Sequence, residues 1–223
     1  MFAGHLAAGL VLKKMEHRIS LGWLFFAALM HDSLLGVFTL LGLEQTHTAG
    51  YAQTHYLTFT FPYSHGLAAS VVWSLLAFGI TYAVLPHWKS KERTQAGAVM
   101  GLAVFSHFIL DWLVHIPELP LLGNDSPMLG LGLWNNLPLA LTLEVALVVI
   151  GFAYYLYAVK PQTNLARYGL GGLLLFTTVM TVMGMWFATT PPPTMGAAMS
   201  WILQPFLICG LAYWFDKSVV DEK

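Results

Sequence analysis

The run SHFILDWLVH places His107, Asp111 and His115 at i, i+4 and i+8. Steps of four residues advance about 40° around a helix, so the three side chains share a stripe about 80° wide. Neighbouring rungs of such a ladder reach one ion from a single helical face. Imidazole and carboxylate together suit zinc and other borderline divalent ions, whereas calcium and magnesium sites are usually all oxygen. His107 and Asp111 are therefore the leading ligand pair, with His115 a further candidate. The other groups able to do chemistry are His5 in MFAGH, His31 and Asp32 together, Ser64 and His65 in FPYSHG, and Glu144 in LTLE.

The chain around these groups is 57% hydrophobic and only 9% charged, against roughly 25% charged in an average soluble domain. So little charge excludes an ordinary water-soluble surface, and an aromatic content of 14% excludes disorder. A net charge of −1 removes the electrostatic case for a nucleic-acid partner. The only cysteine is Cys209, so no intrachain disulfide forms.

A bilayer core about 30 Å thick requires about 20 apolar residues per helical crossing. Six runs qualify: 21–43, 63–85, 96–118, 136–159, 169–188 and 195–215. The segment 2–12 is apolar but too short to cross, and Lys13, Lys14 and Arg18 follow it instead of preceding it, the reverse of a secretory signal. The predicted fold is a single all-α transmembrane domain over 1–223: a polytopic bundle of six helices plus a short N-terminal half-helix or re-entrant segment.

Lys and Arg set the orientation. They precede the first span and follow the second (Lys89, Lys91, Arg93), the fourth (Lys160, Arg167) and the sixth (Lys217, Lys223), while the alternate loops 44–62, 119–135 and 189–194 contain none. All ten basic residues thus fall on one side, predicting an integral membrane protein with a cytoplasmic C-terminus. Trp88, Trp134 and Trp214 fall at span ends, as interfacial anchors do. Pro191, Pro192 and Pro193 form a rigid outer turn.

In this topology Asp32 lies near mid-membrane, His107, Asp111 and His115 climb outward, His65 sits at the outer mouth and Glu144 lies a little deeper. If segment 2–12 dips in from outside, His5 lies near the same mouth. An ionisable group facing lipid costs several kcal/mol, so each needs a partner. His5, Asp32, His65, His107 and Asp111 are expected to share an ion in the outer half of the bundle. Individually, His65 would serve as an interfacial or capping residue and Glu144 as a buried acid bonded to a neighbouring helix. His17, His47, His55 and His87 are expected in water. His31 points about 100° from Asp32 and is placed outside the cluster. Ser64 and Ser106 each precede a histidine, but adjacent residues of a helix do not face one another, so neither is expected to pair with its neighbour. Gly97, Gly101 and Ala103 are assigned to close helix packing.

The histidine in MFAGH, the first-span acid, the His-Gly opening of the next span, SHFILDW and GLWNNLPLALTLE together resemble the YdjM-like family of bacterial and archaeal inner-membrane proteins, described as metal-dependent hydrolases. The resemblance covers about residues 1–155, and the helices of about 160–215 are additional to it. The order His5, Asp32, His65, His107, Asp111 is also similar to the ligand order of all-helical zinc-dependent phospholipase C and nuclease proteins. That similarity implies metal ligation by these five residues and by His115, with Glu144 in the place of a late acidic ligand. Ala140 stands where the second His-x-x-x-Glu pair would begin, so one or two ions are implied and not a three-metal cluster.

The reaction expected is hydrolysis of an ester or phosphodiester in a lipid or membrane-associated substrate, by a water that a zinc-like ion activates. Asp32, Asp111 and Glu144 are the catalytic candidates, each carboxylate able to act as ligand or base. The competing expectation is a divalent-ion or proton transporter using the same His and Asp residues, which would need ionisable groups through the whole membrane thickness. A haem site would need a facing partner for His107 and for His115, which stand about 12 Å apart along one helix.

Overall fold

A computed structural model describes residues 2–220, and the chain folds as an all-α bundle. The helices are α1 (Ala3–Leu12), α2 (Leu21–Leu40), a single turn α3 (Tyr51–Thr54), α4 (Leu67–Val84), α5 (Ser90–Val114), α6 (Leu137–Ala158), α7 (Leu170–Phe187, entered through a π turn at Leu165–Gly169) and α8 (Thr194–Val220). Six of these segments are long and apolar enough to cross a membrane: Leu21–Leu40, Leu67–Val84, Ser90–Val114, Leu137–Ala158, Leu165–Phe187 and Thr194–Asp216. They coincide with the six runs read from the sequence. Lys223 and the side chain of Lys217 lie outside the described residues.

Local chemistry sets where the helices begin. Ser20 accepts a hydrogen bond from the Trp23 N–H to cap α2, and Asn136 accepts one from Leu139 to cap α6, with Pro138 in the first turn. Small residues then let the helices approach closely. A Cβ on Gly22 would strike Tyr213 and one on Gly36 would strike Ala198, so α8 lies antiparallel along α2. Gly97 and Gly101 meet Phe78 and Ser74 in the same way, pairing α5 with α4 as assigned from the sequence. The outward faces are apolar: on α4 only Ser70 is buried, and Leu75, Ile80 and Val84 are exposed, as suits a helix surrounded by lipid.

The segment 2–12 is a helix inside the bundle, with Ala3, Leu6 and Leu10 fully buried. Gly4 meets Glu144 and Ala7 meets Gly151, so α1 runs parallel to α6, while Gly9 abuts Leu24 and Phe25 of α2. His5 therefore reaches the bundle interior from the start of a half-helix that leads away toward Lys13. Lys13 itself corrects its reading as a loop charge: it is fully buried, with Nζ 2.6 Å from Asp216 Oδ2 and donating to the carbonyls of His17 and Ile19.

Two of the loops without Lys or Arg form short antiparallel hairpins, which the sequence reading did not anticipate. Strands β1 (Gln45–His47) and β2 (Thr58–Thr60) pair as Gln45 with Thr60 and His47 with Thr58, and β3 (Leu119–Pro120) pairs with β4 (Met128–Leu129). Gly132, at φ +71°, lets the following segment fold back so that its N–H donates to the His115 carbonyl, which brings Trp134 over the end of α5.

Candidate metal centre

The site forms where α1, α2, α5 and the turn before α4 meet. Helix α5 carries His107 and Asp111 one turn apart and ends at Val114, leaving His115 in extended backbone at the cap. His115 still faces back along the ladder, its Nε2 3.6 Å from Asp111 Oδ2. His65 enters from the turn beginning at Pro62, its Nε2 3.5 Å from the same Asp111 oxygen and 3.2 Å from His107 Nε2. His107 Nε2 lies 3.1 Å from Asp111 Oδ2. Asp32 Oδ1 stands 3.9 Å from both the His65 and the His107 Nε2 atoms, and His5 Nε2 is 3.1 Å from Asp111 Oδ1.

Among the described residues, two sets of three have ligand atoms within 4.8 Å of one another: His5, His107 and Asp111, and Asp32, His65 and His107. Donors bound at about 2.1 Å to a tetrahedral ion lie about 3.4 Å apart, and the 3.1 to 3.9 Å spacings here bracket that value. Several of these atoms also lack hydrogen-bond partners within the protein. Asp32 Oδ2 and both ring nitrogens of His5 are buried without one, the His5 Nε2 approach to Asp111 being short but off the hydrogen-bond direction. The residues present thus fit a bound divalent ion.

Tautomers sharpen the fit. His107 Nδ1 is 2.7 Å from the Ala28 carbonyl, which can only accept, so Nδ1 holds a proton and Nε2 is the nitrogen turned to the site, the lone-pair atom of the neutral ring. His115 Nδ1 donates to Glu118 Oε1 at 2.6 Å with the same result. At His65 the chain is one link longer. Ser64 Oγ donates to Glu44 Oε2 at 2.7 Å and accepts from His65 Nδ1 at 2.7 Å. Glu44 is held in turn by the N–H groups of Tyr63 and Ser64. Burial pushes the Glu44 carboxyl upward, and the three donors from Tyr63 and Ser64 oppose that rise.

Ser64 and His65 therefore do pair, contrary to the expectation from helical geometry, because both belong to a turn and not to a helix. His31 stays out of the ligand sets, as expected from its angle to Asp32, but packs against one of the ligands. Its ring stacks on His107 at 4.7 Å and 8°, and His5 stacks on the opposite face at 3.8 Å and 9°, so three parallel imidazoles span α1, α5 and α2. His31 Nε2 bonds Ser70 Oγ at 3.0 Å, and His31 belongs to neither set of three. Glu144 is buried with Oε1 accepting from the Gly4 N–H at 3.1 Å, next to His5 in the chain but likewise in neither set. His17, His47 and His87 are exposed and His55 is half-buried.

Aromatic rings cover the hairpin side. Phe61 stacks on His65 at 4.7 Å, and Trp134 lies 4.1 Å from His115, buried and not placed as an interfacial anchor. Glu44 and Glu118 were missed by the sequence reading. The signal was present: both acids stand in stretches with no Lys or Arg, and Glu118 follows His115 by one turn. Comparison of the chain with protein-family models, with curated proteins and with solved structures gives no match.

Proposed function

We propose that this protein is a membrane-embedded, metal-dependent hydrolase that holds one or two zinc-like divalent ions at the His/Asp cluster and cleaves an ester or phosphodiester of a lipid or other membrane-associated substrate. The observation that carries the reading is the convergence of the His65, His107 and His115 Nε2 atoms on one oxygen of Asp111, with each Nδ1 engaged by an oxygen on its far side. Three lone pairs and a carboxylate facing one another repel unless a cation stands among them.

A divalent ion bound there supplies Lewis acidity and lowers the pKa of a coordinated water. His65, His107 and Asp111 would hold it, with His5 and Asp32 as further ligands and His115 at the rim. Asp32 has the most open carboxylate of the cluster, at 16% side-chain exposure, and its Oδ2 has no hydrogen-bond partner. It is the group that would take a proton from water at the opening of the site and, once protonated, return it to the leaving group. His115, held in one tautomer by Glu118, turns its Nε2 to the site as an acceptor that orients the water.

The reading extends to kinship with the YdjM-like inner-membrane proteins, on the motif series of residues 1–155. The Lys and Arg distribution supports placement in the cytoplasmic membrane with the C-terminus inside and the site opening toward the extracytoplasmic side. Its decisive test is elemental mass spectrometry on detergent-purified wild type, His107→Ala and Asp111→Ala. Bound zinc or a similar ion in wild type, lost in both variants with the fold kept, supports the site and opens a screen of lipid and phosphodiester substrates. No ion in wild type prepared without chelator, with reconstitution also failing, overturns it in favour of an ion or proton pathway.

A further inference from the structure

A second feature of the bundle is independent of the metal cluster. Helices α2 and α4 touch near the cluster, through His31 Nε2 and Ser70 Oγ at 3.0 Å and through the Phe38 and Trp73 rings at 6.4 Å between centroids. Toward the Ser20 end of α2 they part, leaving a cavity of about 690 Å³. Trp23, Phe26, Met30, Ala77, Ile80 and Met100 line it, and Trp23 and Ile80 are more than half exposed, so it opens on the lipid-facing side of the bundle. Such an apolar wall repels water and suits a hydrocarbon chain.

Charge appears only at the mouth. Arg18 lines the cavity and lies over the Trp88 ring at 4.2 Å. Its Nε and Nη2 bond the two oxygens of buried Glu16 at 2.8 and 2.7 Å, which fixes the guanidinium at the rim. Its Nη1 is 3.1 Å from Glu92 Oε1, and this outer pair is accessible, with Arg18 31% and Glu92 36% exposed. A guanidinium matches a phosphodiester, and a carboxylate beside it matches an ammonium group.

We propose that this groove is a binding site for one zwitterionic, amine-bearing glycerophospholipid from the leaflet on the basic side of the bundle. An acyl chain fills the wedge between α2 and α4, the phosphate inserts at Arg18 Nη1, and the released Glu92 carboxylate receives the headgroup ammonium. The lipid fills the space that the protein leaves open between α2 and α4, over Met100 and Val104 of α5.

The test is lipid retention by detergent-purified protein incubated with mixed micelles of phosphatidylethanolamine and phosphatidylglycerol in equal amounts, quantified by mass spectrometry after organic extraction. Wild type is expected to retain phosphatidylethanolamine in preference. Ala77→Trp, whose indole fills the wedge, loses the retained lipid; Thr81→Trp, one turn along the same wall, serves if that variant does not fold. Glu92→Gln keeps the lipid and loses the headgroup preference. Wild-type helical circular dichroism and a monodisperse size-exclusion peak in the variants report an intact fold, so the result stands whether or not metal binds. No retained phospholipid, equal retention by wild type and the tryptophan variants, or a wild-type preference for phosphatidylglycerol overturns the proposal.

Discussion

His107 Nε2 faces His65 Nε2 at 3.2 Å, and each ring gives its Nδ1 proton to an oxygen on the side away from the other. Rings so tied turn their Nε2 atoms toward each other and toward the Asp111 carboxylate. A divalent ion between them would be ligated by both rings, with the carboxylate supplying compensating charge.

This relationship separates ligands from neighbours. His31 and His107 are both fully buried and their rings are stacked, yet His107 belongs to both sets of converging ligand atoms and His31 to neither. Replacing either by phenylalanine keeps an aromatic ring in the stack. His107→Phe is expected to lose the bound ion and His31→Phe to retain wild-type stoichiometry, read by elemental analysis of protein purified without chelator. Equal loss in both would place His31 among the ligands.

The link from Glu44 through Ser64 to His65 orients a ring from outside the site. Removing such a support typically costs about 10–100-fold in metal affinity while sparing the fold. Ser64→Ala is therefore expected to weaken zinc binding within that range in a competition titration with a chelating dye. Because the variant also leaves Glu44 Oε2 and His65 Nδ1 without this buried partner, it should lower the stability of the metal-free protein by about 1–3 kcal/mol while keeping the fold, read as a modest fall in melting temperature.

Much of this arrangement was legible in the sequence because it rests on single-helix geometry. Apolar length alone placed the six spans, and the four-residue spacing of His107, Asp111 and His115 placed them on one face even though α5 ends before His115. The reading stopped where contacts join different elements. His31 was set aside by its angle to Asp32 on α2, yet its ring meets His107 of α5, and no angle within one helix reports that. The Ser64 and His65 pair was dismissed by a rule for helices that does not apply in the turn before α4. Lys13 looked like a loop cation because its partner, Asp216, lies 203 residues away.

Glu118 sets which nitrogen of His115 faces Asp111. Its Oε1 accepts from His115 Nδ1, and its Oε2 accepts from the Phe59 N–H at 2.7 Å, so it also ties the β2 strand to the end of α5. Glu118→Gln can keep the Phe59 contact but lets the His115 ring exchange tautomers. On the hydrolase proposed above, the variant is expected to keep the metal content of wild type and to lose turnover on any ester that a substrate screen identifies, as befits a residue that acts through His115. A cobalt-substituted sample should keep a wild-type visible spectrum if His115 is not a ligand, and shift if it is.

Topology makes a prediction free of any metal. In a Cys209→Ala background, a cysteine at Asn124, between β3 and β4, should react with a membrane-impermeant maleimide applied from the extracytoplasmic side. A cysteine at Gln162, before α7, should react only after the membrane is opened. Both positions are accessible, Asn124 exposed and Gln162 bonded only through its own side chain to the Lys160 carbonyl. The reverse pattern would turn the bundle over and move the site to the cytoplasmic half.

The buried pair of Lys13 and Asp216 locks the end of α1 to α8. Asp216 Oδ2 also accepts from the Leu21 N–H at 2.8 Å, and Oδ1 accepts from the Tyr155 hydroxyl at 3.5 Å, so one carboxylate joins four segments. Breaking a buried ion pair from one side strands the other charge and costs about 3–5 kcal/mol, whereas replacing both partners with apolar groups is often close to neutral. Lys13→Met is expected to lower the melting temperature sharply, and the double variant Lys13→Met, Asp216→Leu to recover most of that loss. Because α1 carries His5 to the cluster, loosening its far end should also weaken metal binding in the single variant. Recovery of stability without recovery of metal affinity in the double variant would mean that Asp216, through Leu21 and Tyr155, positions the helices around the site as well as neutralising Lys13.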